Sequence, residues 1–224
     1  MIYLMPSKKR IYKAMDKADI ICFDVFDTLI YRNVDGDRPE AVFEMVAYDY
    51  FGHNARAEEF IDRRIEIESE IHRQTAKIGE VTIASIYNVL KKLYPADADN
   101  LQDMELSTQL KVTKRDEDAY ELYSYALSTK KPIYLVSDMY YCTEIMEEIV
   151  NRCGIRGYSR IYVSCDEQAT KASGRLWAKI VREHPSKHII HIGDGKRGDF
   201  LNPIRNRVGA FLYKRGRCVI YVSR

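Results

Sequence analysis

No Cys-x-x-Cys pair occurs in the 224 residues, and the five cysteines, Cys22, Cys142, Cys153, Cys165 and Cys218, are odd in number and scattered. That pattern argues against a disulfide framework or a zinc site and fits a reducing cytoplasm. No apolar run approaches the roughly 20 residues needed to cross a bilayer, and the first residues lack the apolar centre of an export signal. An excess of one charge is missing too: 35 basic against 33 acidic side chains leave +2. No overall field therefore favours nucleic acid or an anionic membrane, and partners must be sought at local sites. There is no internal repeat and no low-complexity stretch, and the end at Arg224 leaves a whole protein or a piece of one equally open. What is present, 46% hydrophobic and 30% charged residues, suits a globular chain with a sizeable core, either one domain with an insertion or two small ones.

Four strand-like apolar runs end in polar residues. Residues 20–29 deliver Asp24, Asp27 and Thr28; residues 132–138 deliver Ser137 and Asp138. Residues 160–164 precede Lys171, and residues 188–194 end in Gly193 and Asp194, with Asp199 five residues on. In an open α/β sheet ligands bind beyond the carboxyl ends of the strands, so these are candidate functional groups. From residue 130 the pattern predicts strands at 132–137, 160–164, 188–193 and 208–213 alternating with helices at 143–153, 174–183 and about 199–206, hence a mostly parallel sheet with helices on both faces. A strand at 19–24 precedes them, led in by a basic helix over 7–18, and Val219 to Val222 suggest an edge strand. Between Arg38 and about Thr129 the spacing is helical and no strand signal interrupts it: Pro39 suits a first helical position, Thr82 a cap, and Tyr94-Pro95 a stop.

A nucleophilic Asp, a hydroxyl, a Lys and an acidic pair, in this order after successive strands, resemble the four motifs of the haloacid dehalogenase (HAD) superfamily over residues 20–32 and 130–213. The resemblance implies a doubly wound, mostly parallel α/β core at 1–32 and 130–224, with an all-helical cap at 33–129 that closes over the site and selects substrate. It implies a hydrolase, most simply a phosphatase, in which Asp24 attacks phosphorus to form an aspartyl phosphate. Thr28 matches the hydroxyl closing the first motif, Ser137 the donor to a phosphoryl oxygen, with Asp138 beside it, and Lys171 the cation that offsets charge on the transferring group. Mg²⁺ is the implied cofactor, held by Asp24, the carbonyl of Phe26 and Asp194, with Asp199 beside them. The substrate would be a small phosphorylated metabolite.

One position departs from that pattern. Family phosphatases usually carry a second Asp two residues after the nucleophile, as the acid and base for leaving group and water; here Phe26 stands there. An apolar ring transfers no proton, and losing a general acid/base typically forfeits about 10²- to 10⁴-fold in rate. Asp27, one residue later, is a replacement if the turn swings it towards the site; otherwise it makes a turn-stabilising hydrogen bond. An aromatic residue at this position is also a dehalogenase feature, which opens a metal-free hydrolysis at carbon, and a third alternative is a non-catalytic phosphate-ligand binder. The Phe23-Asp24-x-Phe26-Asp27-Thr28-Leu29 opening, with Ser137-Asp138-Met139-Tyr140 and Ser173-Gly174-Arg175-Leu176-Trp177, also resembles a branch found alone or fused to bacterial glycosyltransferases, implying a sugar phosphate and a glycosyltransferase association. His184, His188 and His191 read as structural, because Pro185 interrupts a helix and His188 and His191 fall on opposite strand faces. Arg205, Arg207, Lys214, Arg215 and Arg217 read as a solvated basic stretch. Tyr140 and Tyr141 are candidates for the substrate entrance, and Arg63, Arg64, His72 and Arg73 either reach inward or lie in water.

Overall fold

The computed structural model describes residues 8–75 and 80–215. Its centre is a five-stranded parallel sheet in the order β5-β4-β1-β6-β7, built from β1 (Ile20–Phe23), β4 (Ile133–Ser137), β5 (Arg160–Val163), β6 (Ile189–Gly193) and β7 (Gly209–Leu212). β1 is buried at every residue, which is why it reads as an unbroken apolar run and not as an alternation. Its alternate side chains serve two cores. Ile21 and Phe23 face Ile11 and Met15 of α1 (Lys8–Lys17), Leu122 and Tyr123 of α6 (Glu117–Ser128), and Met146 and Ile149 of α7 (Thr143–Arg152). Ile20 and Cys22 face Leu176, Trp177 and Ile180 of α9 (Arg175–Glu183). The helices on both faces are thus set by the period of two along each strand.

The strand order fixes where a ligand can bind. After β1 the sheet grows outward through β4 and β5, and after β6 it grows the other way to β7. Adjacent strands whose continuations depart in opposite directions leave a crevice at their carboxyl ends. Asp24 directly follows β1 and Asp194 directly follows β6, so both sit at that crevice.

The inserted stretch holds α2 (Glu40–Phe51), α3 (Ala55–Thr75), α4 (Ile83–Leu93) and α5 (Ala98–Val112). Thr82 caps α4 through a reciprocal pair with Ser85, as its sequence position suggests. Pro39 stands one residue before α2. The expectation that no strand interrupts the stretch is corrected: β3 (Thr113–Arg115) pairs antiparallel with β2 (Ile30–Arg32), Arg32 opposite Thr113. A three-residue strand is too short to show a period, and its partner lies about eighty residues away in the chain. A single-turn helix, α8 (Ser164–Glu167), follows β5 without having been anticipated. The helix expected at about 199–206 is a π-helical turn, Lys196–Leu201, continued by α10 (Asn202–Arg205). The edge strand suggested at Val219 to Val222, like Arg217 and Cys218, lies outside the described residues. α6 packs beside α1, with Tyr12 stacked on Tyr125 at 4.1 Å and Phe23 of β1 meeting Tyr123 at 5.4 Å.

A buried ionic knot ties the inserted helices to the loop after β4. Arg64, 0% exposed, donates from Nε and Nη2 to Glu105 at 3.0 and 2.9 Å, and from Nη1 to Glu68 at 2.7 Å. Glu105 also accepts from the hydroxyls of Tyr87 at 2.8 Å, Tyr140 at 3.3 Å and Tyr141 at 3.4 Å. Arg64 therefore reaches inward, whereas Arg63, His72 and Arg73 are exposed. Tyr140 and Tyr141, expected at a substrate entrance, turn their hydroxyls to Glu105, because a buried carboxylate needs donors on its remaining lone pairs.

Candidate active site

Asp24 is placed by the sheet itself: its backbone N–H donates to the carbonyl of Ile192 at 2.9 Å, and the residue is 4% exposed. The chain then turns within one loop, with the N–H groups of Leu29 and Ile30 both donating to the Val25 carbonyl at 2.9 and 3.0 Å. That loop brings the Thr28 hydroxyl back to donate to Asp24 Oδ2 at 2.9 Å. Asp27 takes a left-handed conformation, φ 59°, which Asp tolerates better than most residues, and its side chain is exposed. Among the described residues its carboxylate makes no hydrogen bond, so the turn-stabilising alternative for Asp27 is not found.

Ser137 ends β4 and is buried. It is not the cap of the following helix: α7 begins at Thr143 after Cys142, and the Thr143 N–H donates to Asp166 at 2.6 Å. Asp138 accepts the N–H groups of Lys171 at 2.7 Å and Ala172 at 3.1 Å. From the other side the Asn202 amide donates to the carbonyls of Lys171 and Ala172 at 2.9 and 2.8 Å. The loop is thereby clamped so that the buried Lys171 ammonium donates to Asp24 Oδ1 and, at 2.7 Å, to Asp199 Oδ1. This lysine is not the solvated side chain that its type suggests.

Asp199 rides on the π-helical turn, a geometry that concentrates at functional sites. Its Oδ2 accepts the Gly195 N–H at 2.9 Å, and its Oδ1 accepts both Lys171 and His191 Nε2, the latter at 2.9 Å. The close approach depends on glycine: a Cβ at Gly193 would stand 2.7 Å from Asp199 Cβ and 2.8 Å from Asp24 Cβ. His191, which sequence reasoning set aside as structural, thus touches the site, with its ring against Trp177 at 4.5 Å. The missed signal is its place two residues before Gly193 in the same strand. His184 and His188 are elsewhere, the first beside the Tyr162 hydroxyl and the second beside the Lys17 carbonyl.

The electrostatics follow from crowding. Burial and the charge of Asp199 hold the Asp24 carboxyl well above the ordinary carboxylate range, against the pull of Lys171. Burial, with Asp199 and Asp27 nearby, pushes Asp194 up to about 6. Burial would also raise Asp199, but Lys171 and His191 outweigh it and keep that carboxyl well below its usual value. Burial lowers His191, leaving a neutral ring whose Nε2–H is assigned as donor to Asp199. Ligand atoms of Asp24, Asp194 and Asp199 lie within 4.8 Å of one another, the one such metal-binding cluster among the described residues. Three carboxylates face one ammonium, and the excess negative charge with hard oxygen donors suits a divalent cation. Asp199 already accepts three hydrogen bonds, so Asp24 and Asp194 are the carboxylates with room for direct ligation.

No protein-family model matches the sequence, and no curated protein does. Solved structures do. The chain superposes on YfnB of Bacillus subtilis, a protein assigned as a HAD-hydrolase and bound to magnesium, with TM-score 0.55 and 17% identity over 85% of this chain and 86% of that one. The L-2-haloacid dehalogenase PA0810 gives TM-score 0.62 and 12% identity over 92% of each chain. A Thermotoga maritima protein assigned as a beta-phosphoglucomutase gives TM-score 0.54 and 10% identity over 85% and 82%. The chain therefore has the HAD-like fold, which the order of its motifs anticipates. Among the described residues no helix is long and apolar enough to cross a membrane.

Proposed function

We propose that the chain is a Mg²⁺-dependent phosphohydrolase acting on a small phosphorylated metabolite. The observation that carries this reading is the cluster of Asp24, Asp194 and Asp199 around Lys171 at the carboxyl ends of β1 and β6. Mg²⁺ held by Asp24 and Asp194, with the Phe26 carbonyl, would offset the repulsion between a phosphate and the nucleophile. Asp24 attacks phosphorus in line, forming an O–P bond as the ester P–O bond breaks. The Ser137 hydroxyl and the Lys171 ammonium hold phosphoryl oxygens, while Asp138 and Asn202 keep Lys171 aimed and Asp199 holds its other side. Asp27, exposed beside the turn and free of side-chain hydrogen bonds among the described residues, gives the leaving oxygen its proton. It then takes one from the water that attacks the aspartyl phosphate, releasing phosphate and restoring Asp24.

A sugar phosphate as substrate and a glycosyltransferase association are part of the proposal on the sequence resemblance alone, and a cytoplasmic setting on the scattered cysteines. Phe26 favours a second reading, hydrolysis at carbon by the same Asp24 without metal, in line with the dehalogenases among the structural neighbours. The deciding experiment measures phosphate release from a broad panel of monoesters, with and without Mg²⁺, for wild type and Asp24→Asn. Metal-dependent release lost in the variant upholds the phosphohydrolase. Halide release from 2-haloacids in EDTA, with no phosphate release, replaces it by the second reading. Ligand-induced thermal stabilisation without any turnover means a binding domain.

A further inference from the structure

Among the described residues three cationic side chains are buried, and two have counter-charges: Lys171 with Asp24 and Asp199, and Arg64 with Glu105 and Glu68. Arg32 is different. It is 3% exposed, yet among the described residues no carboxylate lies within ion-pair distance of it. Its one hydrogen bond there runs from Nε to Gln109 Oε1 at 3.0 Å. A buried guanidinium without an ion-pair partner is costly, so a fold that retains one gains something from it. Its two Nη groups have no partner among the described residues, yet neither is a sealed-off unsatisfied atom, so both keep access to solvent.

The surroundings fix how that free edge is presented. The guanidinium lies over the Phe26 ring at 4.3 Å, which sets its plane. Gln109 is itself anchored: its Nε2 donates to the Thr113 hydroxyl at 2.7 Å, that hydroxyl donates back to the Gln109 carbonyl at 2.6 Å, and Thr113 is the register partner of Arg32 in the small sheet. Phe26 is two residues beyond Asp24, and desolvation in the turn raises the neighbouring Asp27 carboxyl against the pull of the Arg32 charge. Gln109 comes from α5 of the insertion, so the Arg32 guanidinium is held between the nucleophile turn and the inserted helices.

We propose that Arg32, set by Phe26 and Gln109, is a subsite for a second anionic oxygen group on the substrate, a carboxylate or a further phosphate. A guanidinium held in one plane with two free amino groups matches the bidentate geometry of either. The inference rests on the phosphohydrolase reading for the phosphoryl end only. It also gives the aromatic residue at position 26 a role: Phe26 is the platform for Arg32.

The test is calorimetric binding to the Asp24→Asn protein with Mg²⁺, using phosphoglycolate, 3-phosphoglycerate and pyrophosphate as probes with two anionic groups and ethyl phosphate as the control with one. At least one two-group probe is expected to bind about 10- to 100-fold more tightly than ethyl phosphate, the worth of one charge-assisted pair. Arg32→Gln should abolish that preference while changing ethyl phosphate affinity less than about threefold. Gln109→Glu gives Arg32 the carboxylate it lacks; it should abolish the preference too, without lowering Tm. No preference in the parent protein, or a preference that survives either substitution, overturns the subsite. Equal loss of every probe with a lowered Tm in both variants overturns it as well, in favour of a structural arginine. An Arg32-dependent preference in a wild type that releases no phosphate keeps the subsite and removes the phosphohydrolase; turnover with an Arg32-independent preference does the reverse.

Discussion

Lys171→Met removes the ammonium that Asp24 and Asp199 share and keeps nearly the same stem volume, so the packing change is small. Lys171 is 4% exposed, which leaves little solvent to take over its role. Breaking a buried ion pair by deleting one partner costs about 3–5 kcal/mol, and for a chain of this length each kcal/mol moves Tm by about 2–4 °C. The expected loss in EDTA at pH 8 is therefore about 6–20 °C. The pH dependence has a definite sign. In the wild type the folded Asp199 carboxyl titrates below its unfolded value, so its contribution is present above the ordinary carboxylate range and is lost on acidification through the lower, folded value. In the variant the pull of Lys171 is gone and only His191 still opposes burial, so the folded Asp199 carboxyl titrates higher than in the wild type. The variant's folded state then binds more protons than the wild-type folded state, and its deficit grows as pH rises. The deficit relative to wild type should thus be smallest near pH 5 and largest at pH 8, and Mg²⁺ should recover part of it by supplying positive charge. Thermal and urea melts at the two pH values, in EDTA and in Mg²⁺, measure all of this. A variant within about 1 kcal/mol of wild type at pH 8 in EDTA would refute the claim that Lys171 compensates buried negative charge.

Gly193→Ala pushes a methyl to 2.7 Å from Asp199 Cβ and 2.8 Å from Asp24 Cβ, well inside the roughly 3.5–4.0 Å of carbon contacts. It should lose about 1–3 kcal/mol in urea melts and most of its Mg²⁺ response. Wild-type protein at Mg²⁺ a hundredfold above its Kd should gain about 2.7 kcal/mol, or about 5–11 °C. Asp194→Asn should lose most of that gain in the same melts. Because the Asp194 carboxyl titrates at about 6, protons compete with the cation below that pH, and the Mg²⁺-induced shift should be larger at pH 7.5 than at pH 5. Asp27→Asn should lower kcat by about 10²- to 10⁴-fold on a turned-over phosphate monoester while leaving Tm unchanged, since its carboxylate makes no hydrogen bond among the described residues. Glu105→Ala leaves Arg64 with Glu68 alone and should cost about 3–5 kcal/mol, read by urea denaturation.

Local sequence determined the strands and the places where chemistry was expected. Strands buried on both faces appear as short apolar runs, so β1, β4, β5, β6 and β7 were legible, and so were the residues that follow them, Asp24, Ser137, Asp194 and, one loop later, Lys171. Thr82 and Pro95 marked helix ends for equally local reasons, a side-chain cap and a missing N–H. Tertiary structure alone decided what these groups do to one another. That Lys171 bridges Asp24 and Asp199, that His191 completes the hold on Asp199, and that Arg64 pairs with Glu105 depend on contacts between residues up to 147 positions apart. The small sheet that aligns Arg32 with Thr113, and the 77-residue reach from Arg32 to Gln109, are of the same kind. Periodicity reports which face of an element is buried; it carries no record of which distant element buries it. The charge balance of the site, and the one buried arginine with no ion-pair partner among the described residues, therefore came into view only once the chain was folded.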